Sequence, residues 1–265
     1  MIAMLLALVI IGSMTGFMAG MLGIGGGMLL VPFMTLLFTF NGFPEALIVK
    51  IAIATSLATI LFTSVSSVRA HHKAGKVRWE ITKPMAVGAF LGTFIGAQFA
   101  GQLKSEWLAA FFAAFVGFSA LQMLRASKPK PSREVPKAFG LGLVGSGIGF
   151  ISSLVGAGGG FMTTPFLVWS NVAMHQAIGT SAALGFPIAA GGLIGYVVSG
   201  LSAPGLPTGS VGYVYLPALI ACSAASLITA PIGARTAHRM QVASLKRAFA
   251  YMLLLLATYM LTRAF

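Results

Sequence analysis

Gly23-Ile24-Gly25-Gly26-Gly27-Met28-Leu29-Leu30-Val31-Pro32 decides how the rest of this chain is read. The stretch returns as Gly156-Ala157-Gly158-Gly159-Gly160-Phe161-Met162-Thr163-Thr164-Pro165, with each matched glycine and the proline 133 residues on. Gly16-Phe17 ahead of the first copy and Gly149-Phe150 ahead of the second keep the same offset. Glycine triplets interrupt helices, because each glycine costs backbone entropy and leaves peptide groups uncovered. Inside a membrane such backbone is tolerated only where protein covers it or where it lines a cavity. Paired interrupted apolar segments, one in each half, therefore point to a transporter binding site. Close helix packing is the competing reading, since glycine also lets helices touch; a plain packing contact needs no triplet.

The surrounding composition places that stretch in a bilayer. Of 265 residues, 57% are hydrophobic and 8% charged, with mean hydropathy +0.94; soluble domains carry about 25% charged residues. An all-α integral membrane protein is expected, because the short alternating strands of a barrel are absent from the sequence. The net charge of +13 raises nucleic acid as a partner. The basic residues, however, flank apolar spans as the positive-inside rule requires, so membrane lipid is expected and nucleic acid is not. Cys222 is the single cysteine, which excludes an intramolecular disulfide. Residues 1–11 lack a basic leader, and apolar sequence continues past signal-peptide length, so they read as a retained span.

A helix over residues 1–40 would reach about 60 Å, twice the roughly 30 Å hydrocarbon core, so the chain must turn back at 23–27. Asn41-Gly42-Phe43-Pro44 is a turn, and Pro44 suits the first turn of the next helix. Spans are expected at 46–68, 84–101 and 107–124, separated by a basic loop over 69–83 and a short turn at 102–106. The polar stretch 125–137, with Pro129, Pro131 and Pro136, links a first transmembrane repeat (1–124) to a second (138–265). The second half repeats the plan: a broken segment at 138–170, a helix at 175–198, an uncharged loop at 199–212, a span at 213–234, a basic stretch at 235–247 and a span at 248–262. Lys50-Ile51-Ala52-Ile53-Ala54-Thr55-Ser56 aligns with His175-Gln176-Ala177-Ile178-Gly179-Thr180-Ser181, and Gly96-Ala97 with Gly233-Ala234. Gly88, Gly92, Gly96 and Ala100, with counterparts Ala221, Ala225, Thr229 and Gly233, form small-residue ladders. They read as packing where the two halves meet.

Loop charges orient the halves. Arg69, Lys73, Lys76, Arg78 and Lys83 fill the 69–83 loop, while its counterpart at 199–212 has no charge. The turn at 102–106 carries Lys104 alone, while its counterpart at 235–247 carries Arg235, Arg239, Lys246 and Arg247. Opposite bias in equivalent loops predicts inverted-topology repeats, which need an odd number of passes per half. The expected architecture is about 5+5 passes, with half-membrane helices at the breaks and both termini outside. The alternative is parallel 4+4, which leaves a basic loop outside.

Glu45, Glu80, Glu106 and Glu134 are the only acids, and each sits at a helix start, in a loop or in the linker. That disfavours a carboxylate relay, an acid/base pair and a di-metal site; no enzyme activity, metal or cofactor is expected. His71-His72 reads as solvated. Gly140-Leu141-Gly142-Leu143-Val144-Gly145 matches G-x-G-x-x-G, but it follows no strand and carries no nucleotide reading. An anion site needs less. A helix restarting after a break presents unpaired N–H groups at the positive end of its dipole, which hold sulfate, phosphate or carboxylate. The candidate substrate-binding residues are Gly23, Gly25, Gly26, Gly27, Gly156, Gly158, Gly159 and Gly160, with Gly26 and Gly159 expected to face each other near the midplane. Thr55, Ser56, Thr180 and Ser181 are candidate hydroxyl donors, against the alternative of bonds back to their own helices. Met28 and Phe161 are secondary candidates at the helix restarts. Lys50 and His175 are secondary candidates for attracting anions, although Lys50 near its helix start also suits snorkelling. Thr55, Thr59 and Thr63 share one helix face and would wet a path, and Phe161 and Trp169 are candidate gates.

The chain resembles the sulfite exporter TauE/SafE family, also called the toluene sulfonate uptake permease family. The twin motifs from Gly16-Phe17 to Pro32 and from Gly149-Phe150 to Pro165 carry the likeness. The Thr-Ser pairs, the loop His71-His72-Lys73-Ala74-Gly75-Lys76, and the Gly-Ala pairs at 96–97 and 233–234 extend it over nearly the whole chain. The resemblance implies a multi-pass carrier in the cytoplasmic (inner) membrane for sulfite, sulfonates or related small sulfur-containing anions; members are often drawn with eight spans. Three functions stand as expectations: a secondary transporter working by alternating access, an anion channel of the same fold, and a membrane component of a sulfur-relay assembly using Cys222. The sequence does not fix the oligomeric state; a homodimer is one candidate.

Overall fold

The computed structural model describes residues 2–22, 26–125, 134–237 and 242–264. Uninterrupted apolar sequence folds into helix wherever no glycine cluster or proline turn intervenes. In the first half these helices are α1 (Ile2–Leu22), α2 (Gly27–Phe40), α3 (Glu45–Lys73), α4 (Trp79–Gln102) and α5 (Ser105–Leu124). The second half has α6 (Ala138–Val155), α7 (Gly160–Trp169), α8 (Met174–Gly200), α9 (Leu216–Ala237) and α10 (Val242–Leu261). Between α8 and α9 lies a two-stranded antiparallel hairpin, β1 (Ser210–Val211) and β2 (Val214–Tyr215), with Val211 opposite Val214.

Seven of the described helices, α1, α3, α4, α5, α6, α8 and α9, are long and apolar enough to cross a membrane. Large apolar side chains such as Val87 (65% exposed), Phe118 (65%) and Leu255 (68%) face outward, as a lipid-facing surface requires. This is an all-α integral membrane protein. The 14 residues of α2 and 10 of α7 make helices of about 21 and 15 Å, short of the roughly 30 Å core. Each break thus divides its segment into a long arm and a short one.

The packing is reciprocal. The first helix of each half lies along the fourth helix of the other, α1 on α9 and α6 on α4, while α3 meets α8 and α5 meets α10. Small residues set both long seams. Gly16 rests on Ser226, Gly20 on Ala230 and Gly233 on Phe17; Gly88 rests on Gly142, Gly92 on Ser146 and Gly149 on Ala89. A β-carbon at any of these positions would strike backbone, so the ladders hold helices together across the two halves.

Several boundaries differ from the sequence reading. α3 continues through His71, His72 and Lys73 until Gly75 (φ +65) turns the chain. Nothing in 69–73 breaks a helix, and positive charge suits a helix C-terminus. The loop expected over 69–83 therefore shrinks to residues 74–78. The loop expected at 199–212 loses its start to α8 and ends in the hairpin, whose turn contains Gly212 (φ +55). Pro129, Pro131, His238 and Arg239 lie outside the described residues.

Candidate functional site

The second break is built by dihedral angles. α6 ends on Gly156 (φ +70), whose N–H donates to the Ser152 carbonyl at 2.9 Å. Gly159 (φ +73) caps α7, its carbonyl accepting the N–H groups of Met162 and Thr163 at 3.1 and 2.9 Å. A left-handed conformation costs a residue with a β-carbon about 1–2 kcal/mol, which explains glycine at both places. At the first break Gly26 has an ordinary helical φ of −65, and its carbonyl accepts the N–H groups of Leu29 and Leu30. Gly23 and Gly25 lie outside the described residues.

The breaks touch. A β-carbon on Gly27 would collide with the Gly156 carbonyl. Ser56 Oγ donates to that carbonyl at 2.8 Å and stands 3.5 Å from the carbonyl of Gly27. The residues brought together are Gly27 and Gly156, in place of the expected Gly26 and Gly159. The nearest neighbours of Gly26 are Thr15 and Ala19 on α1, and those of Gly159 are Ile188, Ile148 and Ser152. The left-handed turn at Gly156 is what directs its carbonyl toward α3 and α2.

Beside this contact lies a cavity of about 460 Å³ between α1, α3, α8, α9 and the second break, within the range of small-molecule sites. Gly158 and Gly160 line it, as do Gly185 and Ser181 on α8, Ser226 on α9, and Thr63, Ser64, Ser66, Ser67 and His71 on α3. Its lining includes no carboxylate. Thr63, Ser64 and Ser226 donate to helix carbonyls. Among the described residues no hydrogen bond is made by the hydroxyls of Ser66, Ser67 or Ser181, which leaves their protons for a ligand. The α7 N-terminus, without a side-chain cap, adds N–H groups at the positive end of a helix dipole. Arg69 and Lys73 sit on the same end of α3 as His71.

The Thr-Ser pairs divide their duties. Thr55 Oγ1 accepts the Tyr215 N–H at 3.0 Å, just before α9. Thr180 Oγ1 accepts the Arg78 N–H at 3.1 Å, just before α4. Each threonine anchors the start of a helix in the other half, a role absent from the sequence reading. Ser56 is held in the contact between the breaks, and Ser181 faces the cavity. Of the threonine stripe, only Thr63 reaches the cavity; Thr59 bonds back to the Thr55 carbonyl at 2.9 Å.

The secondary candidates lie elsewhere. Lys50 Nζ donates to the Gly101 carbonyl at 2.8 Å and stands over the Tyr213 ring. It caps the negative end of α4, at the far end of α3 from the cavity. His175 is exposed at the start of α8, Met28 is core, and Phe161 stacks on Phe249 at 6.4 Å. Trp169 closes α7. Ser64, Ser66, Ser67, His71 and Ser226 were missed as lining residues. The hydroxyl run from Thr63 to Ser67 was the available signal, but serine on a membrane helix is common enough to hide it.

A bundle of long apolar helices with two interrupted arms meeting beside a hydroxyl-lined cavity has the form of a membrane transport protein. The family described as "Sulfite exporter TauE/SafE" matches residues 8–260. A probable membrane transporter protein of Haemophilus influenzae is 35% identical over 261 residues, 98% of this chain and 99% of the relative. Another, from Methanocaldococcus jannaschii, is 28% identical over 227 residues, 85% of this chain and 81% of the relative. A third, from Bacillus subtilis, is 25% identical over 200 residues, 73% and 79% of the two chains. No solved structure is significantly similar. The chain belongs to the TauE/SafE family: it is a multi-pass membrane transporter and not an enzyme.

Proposed function

We propose that this protein is a secondary transporter of the cytoplasmic membrane for a small sulfur-containing anion, sulfite or a sulfonate, working by alternating access between two halves of inverted topology. The observation that carries the reading is the meeting of the breaks. Gly27 against Gly156, tied by Ser56, closes the protein beside a cavity into which Gly158 and Gly160 open. Free hydroxyls, a helix N-terminus and the lack of a lining carboxylate favour an anion. The sulfur comes from the family description alone.

Reciprocal packing and the matched bonds Thr55–Tyr215 and Thr180–Arg78 support two equivalent halves. The basic residues at 69–83, against none at 199–212, support their opposite orientation. On this reading the cavity opens to the cytoplasm. On α3 the cavity lining begins at Ile60 and runs only toward the C-terminal end, which favours a carrier over a channel.

Calorimetric binding to purified protein, screened over sulfite, thiosulfate, sulfate, sulfonates and carboxylates, tests the substrate class. Saturable binding of a sulfur oxyanion is expected, with exchange flux in proteoliposomes. Binding of carboxylates alone, or flux that only follows the electrochemical gradient, would refute the reading. Orientation is tested in a Cys222→Ala background on intact cells: Ser202→Cys should react with an impermeant thiol reagent and Ala74→Cys should not.

A further inference from the structure

The hydrogen bonds of Thr55 and Thr180 set a register between the halves. A residue on α3 corresponds to the one 125 further on in α8, as Thr55 does to Thr180, and a residue on α4 to the one 137 further on in α9, as Arg78 does to Tyr215. In this register the cavity has a closed twin. On the closed side α8 lies tightly on α4, with Gly191 against Phe90, Gly192 against Thr93, and Gly195 against Phe94 and Ala97. The corresponding pairs on α3 and α9 are Ser66 with Leu227, Ser67 with Ala230, and Ala70 with Pro231, and all six of these residues line the open cavity.

The donors that fasten the closed seam also have counterparts. Tyr196 OH donates to the Ser153 carbonyl at 2.9 Å, and Gln98 Nε2 donates to the Gly195 carbonyl at 3.0 Å. Tyr196 corresponds to His71 and Gln98 to Arg235, so both positions retain an N–H or O–H donor. Ser153 corresponds to Gly20 at the offset of 133, and Gly195 to Ala70. His71, Gly20 and Ala70 line the open cavity, and Arg235 is exposed at the end of α9. Ser152 Oγ is buried, at 1% exposure, with no hydrogen-bond partner among the described residues, although such a group costs free energy unless it is satisfied. Its counterpart, Ala19, lines the cavity.

Building on the alternating-access reading, we propose that the two seams open in turn. In the second state α3 docks on α9, His71 donates to the Gly20 carbonyl and Arg235 to the Ala70 carbonyl. At the same time α8 leaves α4 and opens a second chamber toward the opposite face, where Ser152 meets water or substrate. Ser66, Ser67 and Ala70 are small enough to let the helices approach.

The test uses the full chain in membranes with Cys222→Ala. Ser66→Cys paired with Leu227→Cys, and Ser67→Cys paired with Ala230→Cys, are treated with a bifunctional maleimide. The pair Phe161→Cys and Phe249→Cys, at rings already stacked, serves as the reagent control. Both test pairs should cross-link. His71→Ala should lower their cross-linking rate about two- to tenfold, the shift one net hydrogen bond produces, and His71→Tyr, which keeps a donor as the closed seam has, should restore it. Thr93→Cys, buried beneath α8, should react with an impermeant reagent from the face bearing the 199–212 loop. Absence of cross-links where the control reacts, or an inert Thr93→Cys in protein that transports, overturns the proposal. Cross-links in protein that binds no sulfur anion would instead refute the substrate reading and leave the seams standing.

Discussion

The two glycine breaks share a motif and differ in what holds them. α2 is embedded in the protein, with Gly27, Met28, Leu29, Leu30, Val31 and Pro32 buried in succession, whereas α7 buries only Thr163 and Leu167. The described glycines of the first break have ordinary helical geometry and are constrained by neighbours: Gly27 has no room for a side chain beside Gly156. The second break is constrained by conformation, with Gly156 and Gly159 both left-handed. One repeat thus needs glycine for contact and the other for its dihedral angles. The second break lends Gly158 and Gly160 to the cavity.

Substitutions should separate these causes. The largest effect is expected for Gly27→Ala, whose methyl would strike the Gly156 backbone and approach Ile60 Cδ1 to 2.8 Å. Overpacking of this kind costs about 3 kcal/mol, read as a lower thermal midpoint and loss of monodisperse protein. A stable Gly27→Ala would mean that contact does not hold the first break.

Ser56→Ala comes next. It removes the hydroxyl that bridges the breaks and leaves the buried Gly156 carbonyl without that donor, a loss of about 2 kcal/mol. Thermal unfolding in detergent measures it; a change near zero would show that the contact between the breaks is incidental.

Gly159→Ala should cost about 1–2 kcal/mol through its left-handed dihedral, since the Ile188 methyl in its way is the end of a flexible side chain. Gly26→Ala carries no dihedral penalty at φ −65; its β-carbon would lie 3.0 Å from the Thr15 carbonyl oxygen, which a shift of a few tenths of an ångström relieves, so stability should fall by less than about 1 kcal/mol. Equal losses at the two positions would erase the distinction between a break held by packing and one held by conformation.

The smallest change in stability belongs to Gly158→Ala. Its β-carbon would lie 3.4 Å from Ile60 Cγ2, an ordinary contact, so stability should stay within about 0.5 kcal/mol. The methyl enters the cavity, however, and sulfite affinity measured by calorimetry should fall. Unchanged affinity would move the proposed site away from the second break.

The membrane class and the position of both breaks were legible because they rest on local chemistry. Apolar sequence longer than a bilayer span must turn, and glycine triplets are where it can. The small-residue ladders were legible too: Gly88 and Gly92 at four-residue spacing pack against Gly142 and Ser146 as such ladders do. Less was legible where one residue type serves two ends. Thr55 and Thr63 lie two turns apart on one helix face, yet one holds the Tyr215 backbone and the other faces the cavity. Lys50 reads from its position in the chain either as a snorkelling residue or as an anion lure, and only the packed helices bring its ammonium to the Gly101 carbonyl of α4.

By itself the sequence determined that this is a helical membrane protein with a repeated broken segment and no acidic residue in the middle of a span, because hydropathy and backbone entropy act over a few residues at a time. Tertiary structure alone decided that Gly27 meets Gly156, that Ser56 bridges them, and that α8 closes on α4 while a cavity parts the corresponding residues of α3 and α9. Those outcomes depend on the rotation and tilt of helices whose contacting residues lie some hundred positions apart. Serine, threonine and glycine have the same local chemistry whether they face a neighbouring helix or a cavity, so nothing short of the packed arrangement distinguishes the two.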